Sequence, residues 1–404
     1  MHAAPPGRSR YSGPPDYRAV GRHEVFPHTT HDEIERFNFL AQMNRHLATR
    51  VMPAVKTAFE RRVVPQVQAQ GGTFRDRHDV RRALLKDPYY QTWSALRRMT
   101  MEQRQQAGRW IALRQAEELA AKVDALLDER VFAADASVKV PTYVSAVDHH
   151  CMPGSYHTEV FPGDVSAAAN YDSGIFVTTA GQMGRYTDGG GQAILEWLRR
   201  KLPEFRPKDI LDIGATVGHS VLPLAQAFPN AGVIAVDVSK PVLRYAAARA
   251  RSLGVRNIRF IQADGADLSR FADESFDWIQ TTMFLHELSH ASMRAIMRES
   301  HRLLRPGGIV LHVEQPQYSP DMPLFEQAMR DWDAFYNNEP FWSAMHQIDL
   351  DSYMIEAGFS RAELIHGAVT AVVDRTIFPD AEQDSSEDYG RKAAWHLIGA
   401  RKSS

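Results

Sequence analysis

Residues 209–218, DILDIGATVG, decide the fold: an apolar run suited to one buried strand passes straight into a glycine-bearing loop, and an apolar helical pattern follows. Strand, tight turn and helix in that order is how a doubly wound α/β domain builds a nucleoside pocket at the carboxyl end of its first strand. Gly214 and Gly218 permit the turn and a close backbone approach that a Cβ would obstruct, and the free amides opening the helix suit an anionic group.

Working outward, residues 232–239, GVIAVDVS, read as a second buried strand ending in Asp237, where a carboxylate can accept both hydroxyls of a ribose. An acid there favours an unphosphorylated ribose. A third apolar run, NIRFIQADG (257–265), ends in Asp264, and a fourth, FDWIQTTMFLHEL (276–288), follows the acidic turn Asp273, Glu274. RLLRPGGIVLHVE (302–314) then supplies a helix end, a Pro-Gly-Gly turn and a further strand. A nicotinamide or flavin site needs GxGxxG to meet a pyrophosphate, and here Thr216 and His219 occupy the last two of those glycine positions.

This order of motifs resembles the class I S-adenosylmethionine-dependent methyltransferases over roughly residues 193–400. The resemblance implies a Rossmann-like, seven-stranded sheet and S-adenosylmethionine as cofactor. By the same resemblance, Asp212 and the loop Gly214, Ala215, Thr216 and Gly218 surround the methionine portion of the cofactor. Asp237 is the ribose acid, Val238 an apolar contact on the adenine face, and Asp264 with Gly265 the adenine-edge pair. Thr281 falls beside the reactive methyl, and Tyr186, upstream in GQMGRYTDGGGQ, closes over the methionine end. One position departs from the pattern, Thr216, where the family often has glycine.

At 404 residues and 44% hydrophobic content the chain exceeds one such domain. The first 29 residues, rich in Pro, Gly and Arg, read as a flexible tail. Thr30 and Glu33 have capping-box spacing ahead of a helical pattern through Ile34, Phe37, Leu40 and Met43, and Thr100 with Gln103 repeats the signature. Residues 30–135 are therefore expected to form an all-α domain, 136–192 a His-rich connecting segment, and 193–404 the cofactor-binding α/β domain with a lid insertion at 315–350. Gly189, Gly190 and Gly191 read as a loop before the helix that enters the core.

The net charge of −2 gives no overall attraction to nucleic acid or anionic membrane, so the expected partner is a small molecule. Paired arginines such as Arg61, Arg62 and Arg97, Arg98 are interleaved with glutamates, as on ordinary outer helix faces. The helical domain reads instead as a substrate lid or a homodimer surface. A single cysteine excludes an intrachain disulfide, and with no apolar run of membrane-spanning length and no secretory signal core the expected location is cytoplasmic.

Candidate chemistry lies in three places. His149, His150, Cys151, His157 and Glu159 crowd a short span; an extended Tyr156 to Phe161 would put His157 and Glu159 on one face, toward substrate. The spacing matches no standard zinc pattern and no metal is assigned to it. His286 and Glu287 follow the fourth strand at the rim where a methyl acceptor would sit, with His286 as the candidate general base. In the insertion, Phe325, Met329, Trp332 and Tyr336 recur at helical spacing, making Trp332, Tyr336 and His346 candidate acceptor contacts. The expected function is methyl transfer to a small-molecule oxygen, nitrogen, sulfur or carbon. The alternatives are methylation of a protein or nucleic acid, and a non-methylating protein that binds the cofactor.

Overall fold

The computed structural model describes residues 15–370 and 394–403. Its frame is a sheet of eight strands: β1 (Phe132–Ala133), β2 (Asp209–Ile213), β3 (Gly232–Asp237), β4 (Ile258–Gln262), β5 (Phe276–Thr282), β6 (Leu304–Glu314), β7 (Leu364–Thr370) and β8 (Ala394–Arg401), in the spatial order β1-β4-β3-β2-β5-β6-β8-β7. Strands β2 to β6 run parallel, with Ile210 beside both Val233 and Trp278, and β8 inserts antiparallel between β6 and β7. The order reverses at β2, so the loops after β2, β3 and β5 open at a topological switch point, where doubly wound sheets bind ligands. The strand count is eight rather than seven because two residues at the end of the helical stretch, Phe132 and Ala133, pair with Phe260 and Ile261 at the sheet edge.

Both faces of the sheet are covered, which is why its strands read as continuous apolar runs. Alternate residues divide between them: Ile210, Val233, Ala235, Phe260 and Trp278 pack under the helices Gly189–Lys201, Val221–Ala227 and Lys240–Ser252. Leu211, Ile213, Val236, Ile261 and Ile279 pack under His290–Leu303 and Leu350–Glu356.

Thr30 caps the helix His31–His46, its hydroxyl accepting from the Glu33 amide while Glu33 reaches back to the Thr30 amide. Thr100, by contrast, lies inside the helix Pro88–Leu113, which starts at the cap Asp87; its hydroxyl donates to the Leu96 carbonyl instead. The capping spacing there is satisfied by an interior back-bond. The expected tail is also shorter than 29 residues. Tyr17, Val20, Val25 and Phe26 are buried, Tyr17 packing its ring on Phe37 and Phe176. Nor are Gly189 to Gly191 a loop: they open the helix Gly189–Lys201, and a Cβ on Gly191 would lie 2.3 Å from the Ser220 carbonyl oxygen. The glycines serve close helix contact.

The insertion shares a core with the amino-terminal helices. Phe325, Met329 and Trp332 are buried among Leu47, Met52, Phe59, Val80, Leu84 and Trp93. Helix Ser166–Thr178, from the connecting segment, packs on Pro88–Leu113, with Arg104 donating to the Gly174 and Tyr171 carbonyls. Together these parts roof the switch point. Among the described residues no helix is long and apolar enough to cross a membrane. The acidic stretch 380–388 lies outside the described residues.

Candidate active site

A cavity of about 260 Å³ opens at the carboxyl ends of β2, β3 and β5. Its floor is the loop after β2. Gly214 and Gly218 have φ of +79° and +82°, and a Cβ on Gly214 would lie 2.3 Å from the Phe284 ring, so glycine is required there twice over. Thr216, the position that departs from the family pattern, has φ of +44°, where its Cβ is strained and glycine would not be. Its amide donates to Asp237 Oδ2 (3.0 Å), and the Ser239 amide donates to Oδ1 (2.9 Å). Each oxygen of Asp237 therefore keeps lone-pair capacity toward the cavity, as two ribose hydroxyls require.

Asp212 and Asp237 sit close enough to repel. Burial, then Asp237, raises the Asp212 carboxyl well above the carboxylate range. Burial is also the main cause that lifts Asp237 to about 6, against the amides that lower it. Carboxylates buried this way gain most from hydrogen-bond donors, which is what ribose hydroxyls and an α-ammonium group provide. Asp264 and Gly265 line the same end, and a Cβ on Gly265 would meet Ile213 at 2.5 Å.

The other end is assembled around Glu314, at the end of β6. Its Oε2 accepts from the amides of Phe284 (3.1 Å), Leu285 (2.8 Å) and His286 (3.3 Å), and its Oε1 takes His286 Nδ1 at 2.8 Å. One buried carboxylate thus builds the turn after β5 and orients the imidazole. Burial alone would lower His286, but the charge of Glu314 and its hydrogen bond raise it to about 9. With Nδ1 committed, Nε2 is the nitrogen left for the cavity. The Trp342 ring stands edge-on to His286, centroids 4.7 Å apart.

Beside it, His150 lies between two glutamates, with Nε2 3.1 Å from Glu287 and Nδ1 2.5 Å from Glu339. Burial opposes a charge on His150, yet the two carboxylates push it up to about 10. Tyr156 also donates to Glu287 (3.2 Å), and Tyr143 and Tyr171 complete an aromatic wall.

Of the candidate residues, Asp212, Gly214, Ala215, Thr216, Asp237, Val238, Asp264, Gly265, His286 and Glu287 line this one cavity. The others do not. Gly218 shapes the loop from behind. Thr281 points away and bonds His312 Nδ1 at 2.8 Å, while its neighbour Thr282 lines the cavity, because strand residues alternate faces. Tyr186 packs on Gly21, leaving Met183 and Thr187 at the lining. Trp332 donates to Ser94 (2.8 Å) in the shared core, and the Tyr336 ring packs beside it at a tilt of 40°. His346 is buried against Tyr318 and the Pro316 carbonyl, and burial lowers it to about 3. His157 sits in a turn rather than a strand, and Glu159 pairs with Lys240 (3.0 Å), so the two share no ligand.

Three residues carry weight that sequence reading did not assign: Glu314, Glu339 and Asp172. Asp172 accepts from His219 (2.6 Å), His23 (2.9 Å) and Tyr245 (2.8 Å), tying the loop after β2 to the roof. The only sequence signal for Glu314 was an acid ending an apolar strand.

Residues 210–308 match the model of a methyltransferase domain family. An uncharacterised methyltransferase of Synechocystis sp. is 30% identical over 166 residues, covering 41% of this chain and 73% of that protein. The chain belongs to the class I S-adenosylmethionine-dependent methyltransferases. Its methyl donor is accordingly S-adenosylmethionine. This methyltransferase is also similar to the demethylmenaquinone methyltransferase of Thermus thermophilus, 33% identical over 127 residues, 31% of this chain and 56% of that one. Among solved structures it is similar to the phosphoethanolamine N-methyltransferase 2 of Haemonchus contortus, with a TM-score of 0.41, 18% identity, and coverage of 58% of this chain and 57% of that one.

Proposed function

We propose that this methyltransferase methylates a small-molecule acceptor held inside the cavity, at an oxygen or nitrogen that loses its proton to His286. The observation that carries the reading is continuity: one cavity runs from the three aspartates suited to a nucleoside to the Glu314-oriented imidazole. Relatives named for demethylmenaquinone and for O-methylation of malonyl-[acyl-carrier protein] support a small organic acceptor group.

Bound S-adenosylmethionine supplies an electrophilic methyl carbon on a sulfonium. Asp237 would hold the ribose, Asp264 the adenine edge, and Asp212 with the Gly214 loop the methionine end. His286 Nε2 would take the acceptor proton as the acceptor lone pair bonds to the methyl carbon and the carbon–sulfur pair returns to sulfur. The Glu314 carboxylate favours the charged imidazole; a sulfonium cation beside it would disfavour that charge, which would free the base once donor and acceptor are both bound. Tyr143, Tyr156, Tyr171 and Trp342 would exclude water and align the acceptor, a contribution of up to about 7–11 kcal/mol in the best model systems.

The test is calorimetric titration of the full chain with S-adenosylhomocysteine, NAD as control, followed by an acceptor screen read as S-adenosylhomocysteine formation. Saturable nucleoside binding with turnover lost in His286→Gln supports the reading. Equal turnover by His286→Gln on an identified acceptor would falsify the role given to this residue.

A further inference from the structure

We propose that His150, Glu287 and Glu339 form a binding site for one divalent transition-metal cation of the manganese-to-zinc range, set in the acceptor wall of the cavity. The three come from distant segments: the turn His149–Cys151, the turn Leu285–Glu287 after β5, and the stretch ahead of the helix Trp342–Gln347. One ligand atom from each lies within 4.8 Å of the others. An ion with bonds of about 2.0–2.2 Å spans such a group after small side-chain rotations.

An independent observation points the same way. Glu339 is 1% exposed, and among the described residues its Oε2 has no hydrogen-bond partner, although Oε1 receives His150 and the Asn337 amide (3.4 Å). A buried carboxylate oxygen left bare is costly unless something positive fills the gap. The surroundings are those of supported ligands: Tyr156 donates to Glu287, and Asn337 to Glu339. One imidazole, which gives up its proton to solvent as the ion binds, with two carboxylates is a borderline-hard donor set that suits manganese, iron or zinc in the divalent state. Cys151, next to His150, does not join it. Its thiol packs against the Tyr336 carbonyl (3.8 Å), and burial pushes it up to about 11.

All three residues line the cavity, so an ion there keeps open positions facing the acceptor. Direct coordination of the acceptor's nucleophilic atom rests on the proposed function; metal binding itself does not.

The full chain, stripped with EDTA and returned to metal-free buffer, is titrated with Mn²⁺ alone, followed by electron paramagnetic resonance, and with Zn²⁺ alone, followed by calorimetry. The expected result is one ion per chain, with affinity lowered about 10- to 100-fold or more in Glu339→Gln and in His150→Gln. Glu287→Gln serves in place of either variant that does not fold by circular dichroism. No stoichiometric uptake of either ion by wild type, or uptake unchanged in the folded variants, overturns the site. S-adenosylhomocysteine is titrated into the same stripped sample. Nucleoside binding there without metal uptake sinks the metal site alone, whereas metal uptake without nucleoside binding sinks the cofactor assignment alone.

Discussion

The nucleoside end of the cavity and its acceptor end differ in how their residues are spread along the chain. Asp212, Gly214, Thr216, Asp237 and Asp264 all lie at or just beyond the carboxyl ends of successive parallel strands within one stretch, and each is placed by its own strand. His150, His286, Glu287, Glu314, Glu339 and Trp342 come from the connecting segment, two strand ends and the insertion, and meet only when the roof packs down. The first arrangement is local and tolerant of what surrounds it. The second depends on buried carboxylates to fix orientation, because loops from separate elements have no shared register to do so.

Substitutions can break this contrast. The largest effect is expected from His286→Gln, which should lower kcat by about 10²- to 10⁴-fold while leaving the Kd for S-adenosylhomocysteine within a factor of about two. A parallel loss of nucleoside affinity would mean that the two ends are not separable.

Next come two tryptophans from the same insertion. Trp332→Ala should cost about 3–5 kcal/mol of stability in denaturant unfolding, since Trp332 is fully buried in the core shared with the amino-terminal helices. Trp342→Ala should chiefly raise the acceptor KM, because Trp342 lines the cavity in edge-on contact with His286. If Trp332→Ala changed KM without loss of stability, its placement in the core would be in error.

Asp237→Ala should weaken nucleoside binding by about 100-fold, the worth of two charge-assisted hydrogen bonds, with no change in the orientation of His286. Calorimetry on the variant reads this directly. Its acidity gives a further handle. The folded value of about 6 lies above the ordinary carboxylate value, so its contribution to stability is full at low pH and is lost as pH rises through 6. Relative to Asp237→Asn, the nucleoside-free wild type should therefore lose about 1–3 kcal/mol between pH 4.5 and 7.5, measured by urea unfolding. A difference independent of pH would contradict the raised pKa of Asp237.

The smallest effect is at the loop. Thr216→Gly should relieve the positive-φ strain and stabilise the loop by about 1 kcal/mol, offset in part by the greater freedom of glycine when unfolded. A melting curve compared with wild type gives the sign.

How much was legible follows the same division. The strand ends that carry Asp212, Asp237 and Asp264 stand out because apolar runs, turn glycines and acids recur in one order along the chain. Errors there are of a single position, as with Thr281 against Thr282, where only the pleat's alternation tells which hydroxyl faces the ligand. Tyr186, His157, Tyr336 and His346 failed for another reason: each has chemistry suited to a site, but burial in a core or a turn absorbs it. The helical stripe of Trp332 and Tyr336 looks the same in sequence whether it faces a ligand or the helices Met52–Ala58 and Pro88–Leu113.

By itself, then, the sequence determined the doubly wound sheet, its switch point and the aspartates that line the cavity there, because those depend on periodicity and on residues near one another in the chain. Only the tertiary structure decided that Glu314 holds His286, that Glu339 and Glu287 enclose His150, and that the insertion shares its core with the first helices. Those pairings join positions as distant in the chain as Phe59 and Phe325, whose rings lie 4.8 Å apart, and are set by which apolar faces bury one another, not by any spacing along the chain.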